Sequence, residues 1–191
     1  MRARTFTVIR QLGIVVIALA VAGLATGCPP NPNIPRPPGT DGGAKWAFGI
    51  AQPVIHGIAA DAELRQIFGA VVNLDGRIPS NGGDWSFVAW SPTHSTIQVT
   101  VNANGTTSTS QRNDAAPGPG IQVPLPANWA DSIAVFAATN GKRDPGATIA
   151  NLVVLNVASY NSAPGKATWG INFNAGQNQL VAAGGAYIGP E

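Results

Sequence analysis

Residues 85–101, WSFVAWSPTHSTIQVTV, contain two short alternating runs that decide the predicted fold. Ile97-Gln-Val-Thr-Val101 alternates apolar and polar residues, which is typical of a strand with one buried face. Trp85-Ser-Phe-Val-Ala89 also predicts a strand, and Asn102-Ala-Asn-Gly105 predicts a turn after the second run. Trp90 is out of phase with Trp85, so we expect it on the opposite face of the sheet.

A similar pattern occurs in the second half of the chain. Trp169-Gly-Ile-Asn-Phe173 matches the first tryptophan segment, since in both an apolar residue follows two positions after the tryptophan. Leu180-Val-Ala-Ala183 predicts the strand after it. Apolar runs rich in β-branched residues precede both segments, at Val71–Leu74 and at Leu152–Val157, and these also predict strands.

Each apolar run follows a segment with helical spacing. Ala60, Leu64, Ile67 and Phe68 fall at i, i+4, i+7 and i+8, and Trp129, Ile133, Phe136 and Ala137 repeat that spacing. This periodicity predicts one amphipathic helix in each half. We therefore expect an α+β fold, with two helix-plus-antiparallel-strand repeats forming one domain. The alternative is an all-β sandwich, which the abundant turn residues favour.

The predicted element order resembles duplicated PepSY-like or cystatin-like α+β units. On this prediction the domain covers residues 44–191, with halves at about 44–114 and 121–191. Domains of these kinds are associated with protease inhibition or regulation, so the resemblance implies a protein or peptide partner.

The first 28 residues have the features of a lipoprotein leader. Three arginines precede a short apolar run, Leu12–Leu24, which indicates a signal peptide over residues 1–27. Leu24-Ala-Thr-Gly-Cys28 resembles the lipobox of bacterial lipoproteins. That resemblance implies cleavage after Gly27 and a lipid, including an acyl chain such as palmitate, on Cys28. The remaining possibility is a plain secreted protein with an incidental cysteine.

Cys28 is the single cysteine of the chain, so it cannot form an internal disulfide. The Pro- and Gly-rich residues 28–43 predict an extended tether that ends in a flexible Asp41-Gly-Gly hinge. We expect a membrane-anchored protein of the cell envelope, with its domain outside the cytoplasm. Because Pro29 rather than Asp follows the cysteine, the resemblance favours the outer membrane in a cell with two membranes.

The charge of the mature chain gives no reason to expect nucleic-acid binding. The whole sequence carries a net charge of +2, but residues 28–191 hold 8 basic and 9 acidic residues. The excess of positive charge therefore belongs to the leader, and no basic run follows it.

The sequence contains no recognisable catalytic or metal motif. His56 and His94 lack zinc-site spacing, and no G-x-S-x-G sequence is present. We expect His94 in a solvated turn and His56 in a packing or hydrogen-bonding role. Most acidic residues fit turns or helix starts, as Asp131 does at the second predicted helix. We therefore predict no enzyme activity, no cofactor and no metal.

Five tryptophans are the feature most suited to binding. Trp85, Trp129 and Trp169 fit core positions, whereas Trp90 is the candidate for an exposed ligand-binding aromatic. The leading hypothesis is a non-catalytic lipoprotein that binds a protein or peptide. The alternatives are a carbohydrate- or cell-wall-binding module that uses Trp90, and an enzyme of unrecognised type.

Overall fold

The computed structural model describes residues 41–118, 120–160 and 162–191. The predicted signal peptide, Cys28 and the tether as far as Thr40 lie outside the described residues. The described part contains two helices and eight strands, in the order α1 (Ala44–Ile58), β1 (Glu63–Asn73), β2 (Asp84–Ser91), β3 (Ser95–Asn102), β4 (Thr107–Arg112), α2 (Ser132–Ala138), β5 (Ile149–Tyr160), β6 (Ala163–Phe173), β7 (Gln179–Ala182) and β8 (Tyr187–Pro190).

All eight strands belong to one antiparallel sheet with the order β4-β3-β2-β1-β5-β6-β7-β8. Each group of four strands is a meander, and the two groups meet where β1 pairs with β5. Ile67 lies opposite Leu155 at that junction. The edges of the sheet are β4 and β8.

The hydrophobic core lies between the sheet and the two helices. Trp85 and Trp169 are fully buried there, and their rings meet edge to face with centroids 6.4 Å apart. Phe136 of α2 packs against Phe173 of β6 at 5.8 Å. Aromatic side chains of this size dominate the burial energy of a core, so the tryptophans hold the helices against the sheet.

The first helix was missed by the sequence analysis. α1 presents Ala44, Ala47, Ala51 and Ile55 to the core, which is a helical face made mostly of small residues. Gly49, Pro53 and Gly57 lie within the same stretch, and these residue types disfavour a helix interior. Packing of the alanine face against β2 and β3 outweighs that local preference.

The prediction of an α+β domain built from two helix-plus-strand repeats is wrong. The molecule is mostly a single eight-stranded antiparallel sheet with two short helices. The segment Ala60–Phe68, predicted as a helix, instead enters β1 at Glu63. Its residues pair with β2 on one side and β5 on the other, and these ladders override the helical spacing.

The sandwich alternative also differs from the structure, because the strands form one sheet and the second layer consists of helices. The predicted helix near Trp129 is present but shorter. It begins at Ser132, and Trp129 precedes it as a buried core residue. The strands predicted around Trp85, Ile97, Trp169 and Leu180 are confirmed.

The end of the predicted tether is part of the fold. The carbonyl of Gly42 accepts hydrogen bonds from Trp85 Nε1 and from the Ile78 amide, each at 3.0 Å. Gly42 and Gly43 are both buried, unlike the flexible hinge expected for this segment. The chain is therefore fixed to the core from Gly42 onward.

The two helices are joined at their N-terminal ends. The hydroxyl of Ser132 accepts from the Ala44 amide at 2.9 Å and donates to the Gly76 carbonyl at 2.7 Å. Asp131 Oδ1 accepts from the Lys45 amide at 2.9 Å. Asp131 thus caps α1 rather than its own helix α2, which differs from the role predicted for it. None of the helices in the described ranges is long and apolar enough to cross a membrane.

Candidate functional site: the open face of the sheet

The side of the sheet opposite the helices is called the open face here. Successive residues of a strand point to opposite sides, so Ser86, Val88 and Trp90 of β2 lie on it while Trp85 and Phe87 point into the core. Its central row crosses the sheet from β4 to β7 and consists of Ser108, Thr100, Ser86, Phe68, Val154, Gly170 and Leu180.

A groove of about 250 Å³ lies on the β1–β4 half of the open face. One wall is formed by Gly118 and Ile121 of the connection between β4 and α2. The lining residues are Gln66, Phe68, Val88, Thr96, Gln98, Ser110, Arg112, Gly118 and Ile121. The groove therefore combines apolar surface with amides and hydroxyls, and the single charged side chain in that lining is Arg112.

The polar groups of the groove are partly engaged with one another. Gln98 Nε2 donates to the Ser86 hydroxyl at 3.4 Å, and that hydroxyl shares a 2.6 Å hydrogen bond with Thr100. Within the described part of the chain, the Gln66 amide group has no side-chain hydrogen bond. Gln66 thus offers a donor and an acceptor to a ligand, and Gln98 retains its acceptor.

The charge of Arg112 is balanced beside the groove. Its guanidinium lies 3.2 Å from Asp114 Oδ2, which also accepts a 2.7 Å hydrogen bond from Thr96. Arg112 is largely exposed, so this ion pair contributes little to stability. At this end of the groove, the charge of Arg112 is therefore neutralised by Asp114.

A β-bulge shapes the wall of the groove. The β1–β2 register shifts between Leu64 and Gln66, and Arg65 occupies the extra position. Its buried guanidinium donates to the Gln122 carbonyl at 2.6 Å and contacts Glu63 Oε2 at 2.5 Å. Together with the Leu125 amide, which donates to the Leu64 carbonyl, Arg65 holds the β4–α2 connection against β1.

Trp90 lies on the open face, as its phase in the sequence predicts. It is only half-buried, but the Arg65 guanidinium lies over its ring, 5.6 Å from the centroid. Its indole nitrogen is buried and has no hydrogen-bond partner in the described residues. One ring face is thus occupied by Arg65, and Trp90 borders the groove rather than lining it.

Tyr160 and Leu152 are two further open-face residues, on the β5–β6 half. The Tyr160 hydroxyl lies over Gly170, where a Cβ atom would come within 2.6 Å of it. Burial, followed by the charge of Glu191, raises the pKa of Tyr160 to about 12. Leu152 is 40% exposed on this half of the sheet. This half therefore adds apolar and phenolic surface beside the groove.

The two histidines and the acidic residues are dispersed. His56 is exposed in the last turn of α1, contrary to the packing role expected for it, and His94 is exposed in the β2–β3 turn as predicted. Beside it, a hydrogen bond from Ser91 lowers the pKa of Asp61. Burial raises the pKa of Asp84 at the start of β2. The described ranges contain no group of three potential metal ligands.

The groove was not found from the sequence because its first wall was assigned to a helix. The spacing of Ala60–Phe68 predicts a helix, whereas Gln66 and Phe68 line the groove together from β1. The alternation Gln98, Thr100, Asn102 in β3 was the available signal for a polar sheet face. That alternation does not indicate the β4–α2 connection, which forms the other wall of the groove.

The described part of the chain thus belongs to the class of proteins built on a single antiparallel sheet, with helices on one face and an open groove on the other. No protein-family model and no curated protein matches the sequence. The structure is similar to the crystal structure of a putative lipoprotein from Clostridium difficile 630, with a TM-score of 0.53. The two chains are 8% identical over 75% of this chain and 91% of that one, so the likeness concerns the fold.

Proposed function

We propose that this protein is a membrane-anchored lipoprotein of the cell envelope that binds an uncharged, polyhydroxylated polymer segment, such as an envelope glycan, in the groove of its open face. The observation that carries the binding role is the groove lining, in which amides and hydroxyls alternate with Phe68, Val88 and Ile121. Sugars present hydroxyl groups and apolar ring faces, which these two kinds of surface complement.

The anchoring part of the proposal rests on the leader. Leu24-Ala-Thr-Gly-Cys28 has the small residues and the cysteine of a lipobox at the expected distance from the apolar run. The Clostridium difficile protein of similar fold is described as a putative lipoprotein, which supports the same assignment here. Two or three acyl chains on Cys28 would give lasting attachment, since each buried methylene contributes about 0.8 kcal/mol.

The size and charge of the groove favour a short neutral ligand segment over a folded protein. At about 250 Å³ it lies below the range of roughly 300–1,000 Å³ typical of drug-sized pockets. Arg112 is already paired with Asp114, so a charged peptide would find little uncompensated charge. The earlier hypothesis of a protein or peptide ligand therefore has less support than the carbohydrate alternative.

A non-catalytic role is part of the proposal. The groove lining includes no histidine and no carboxylate, which are the side chains that most often act as general acid or general base in catalysis. Trp90 lies beside the groove. Because Arg65 covers one face of its ring, Trp90 is not a freely exposed surface for stacking of a sugar.

Retention on isolated cell-wall polysaccharide tests the binding role. The full chain, purified in detergent from membranes, is compared with Gln66→Ala and Gln98→Ala. Each change removes a groove amide and is expected to lower affinity about fivefold, because one net hydrogen bond contributes about 1 kcal/mol. Gln52→Ala, on the exposed side of α1, is the matched control and should bind as the parent does. Equal retention of all four proteins would refute a groove-based glycan site.

Metabolic labelling with an alkyne analogue of palmitate tests the anchor independently. The parent chain should incorporate the label and sediment with membranes, and Cys28→Ser should do neither. Export and cleavage without any label in the parent would instead identify a plain secreted protein.

A further inference from the structure

Among the described residues, the outer edge of β4 carries a row of backbone hydrogen-bonding groups that no strand pairs with. β4 is the last strand on its side of the sheet and pairs only with β3. In an edge strand, alternate residues direct both N–H and C=O away from the neighbouring strand. All six residues of Thr107–Arg112 are exposed, so no described residue covers this edge.

β4 also lacks the features that usually protect an edge. Its six residues are Thr-Ser-Thr-Ser-Gln-Arg, with no proline and no lysine, and they pair with β3 in unbroken register. The opposite edge differs in length, in its proline and in its register. β8 has four residues, ends in Gly189 and Pro190, and its pairing with β7 contains an irregularity. The two edges of one sheet are therefore unequal, and β4 is the one suited to strand addition.

We propose that two copies of this chain associate through antiparallel pairing of β4 with β4, which joins two sheets into one. In a pairing centred on Thr109, Thr109 lies opposite Thr109 of the second copy and Ser108 lies opposite Ser110, so small hydroxyl side chains face one another at the three central positions. Cross-strand pairs of threonine and serine stabilise antiparallel sheets through side-chain hydrogen bonds.

The charges of β4 are compatible with that symmetric arrangement. Arg112 is the one charged residue of the strand, and in this register it faces Thr106 of the second copy. The two Arg112 side chains then stand six residues apart, about 20 Å at 3.4 Å per residue. This exceeds the Debye length of about 8 Å at physiological salt, so their mutual repulsion is screened.

A second copy fits this edge better than a foreign extended peptide. Peptides added to a sheet edge are selected by pockets that receive alternate side chains. Along β4 the side chains are all exposed, and the groove that two of them line lies over β1–β3, so among the described residues the outer edge presents no such pockets. Ser110 and Arg112 also line the groove, so pairing brings the grooves of the two copies to one shared edge. The association itself requires no glycan, and its test does not depend on the proposed ligand.

Disulfide scanning in membranes tests the pairing with the full chain. Six variants each place one cysteine at a position from 107 to 112, and an oxidant is added to membranes that contain them. A disulfide needs Cα atoms about 4.4–6.8 Å apart, so cross-linked homodimer should peak at Thr109→Cys, the position that faces its own copy, and decline several-fold toward both ends. The parent chain controls for any free Cys28, and Ile188→Cys on β8 and Gln52→Cys on α1 control for random collision.

Two outcomes would overturn the inference. Homodimer yields equal to those of the Gln52→Cys control at every β4 position would exclude the symmetric pair. Adducts of the β4 cysteines with a different protein, without homodimer, would assign the edge to a foreign strand. Folding of each variant is checked by its melting temperature, and exposed β4 side chains are expected to tolerate cysteine within about 0.5 kcal/mol.

Discussion

At the scale of single residues, Ser132 illustrates how one side chain connects three parts of the fold. It is fully buried, and its hydroxyl bridges the first amide of α1 to the carbonyl of Gly76. Both of those backbone groups belong to buried residues, so water could not replace the Ser132 hydroxyl as their hydrogen-bond partner. An unpaired buried group costs about 1–3 kcal/mol, which makes this hydroxyl a structural necessity.

Ser132→Ala should therefore lower the free energy of unfolding by about 1–3 kcal/mol, as measured by urea denaturation. Ser108→Ala, on the exposed strand β4, is the control and should change it by less than about 0.5 kcal/mol. Equal stability of the two variants would mean that the bridge contributes nothing to folding.

Gly69 occupies a position where only glycine fits. A Cβ atom built there would lie 2.5 Å from a ring carbon of Trp85, which faces Gly69 across the β1–β2 ladder. Gly69→Ala should destabilise the protein by about 1–3 kcal/mol, because the buried indole must shift. Gly49→Ala has open space around the new methyl group in α1 and should stabilise by about 0.5–1 kcal/mol. In thermal unfolding, the melting temperature should fall for Gly69→Ala and rise for Gly49→Ala.

Tyr160 should ionise near pH 12, as ultraviolet titration of tyrosinate would detect. Its folded pKa is raised above the unfolded value, so its neutral form stabilises the fold. That contribution is complete below pH 10 and is lost as pH rises from 10 to about 12. Tyr160→Phe should remove this step from the titration. Ionisation of Tyr160 near pH 10 in the folded protein would contradict its burial.

At the scale of elements, local sequence predicted strands better than helices. The strands around Trp85 and Ile97 follow from alternation, because each buries one face. Ala60–Phe68 has helical spacing, yet its position between β2 and β5 makes it a central strand. Pairing with distant strands decides this, and a short stretch of sequence does not show which strands those are. The helix α1 was not predicted because its glycines and proline disfavour a helix. Close packing of its alanine face on the sheet stabilises it nevertheless.

The Arg65 bulge is the element-scale feature on which the groove depends. Arg65→Ala should release the β4–α2 connection and destabilise the fold by about 1.5–3 kcal/mol, the usual loss for hydrogen bonds to a charged group. Limited proteolysis should then cut faster between residues 113 and 126. Glu63→Gln is the matched control: Glu63 is 57% exposed, so that change should cost less than about 1 kcal/mol. Unchanged proteolysis of the Arg65→Ala chain would show that the connection is held by other contacts.

At the scale of the whole molecule, the two faces of the sheet differ in composition and exposure. The helix-covered face holds the tryptophan core, and the open face carries a groove of amides, hydroxyls and apolar side chains. The sequence indicated the buried tryptophans and the placement of Trp90 opposite Trp85. It could not indicate the groove, because residues from β1, β2, β3, β4 and a distant connection form it together.

Glycan binding on the open face is tested most directly by an NMR titration of the full chain in detergent micelles with soluble cell-wall oligosaccharides. We expect the side-chain amide signals of Gln66 and Gln98 to shift progressively, while that of Gln52 stays fixed. Saturable shifts confined to the helix-covered side, or no shift at any concentration of oligosaccharide, would contradict a glycan site on the open face.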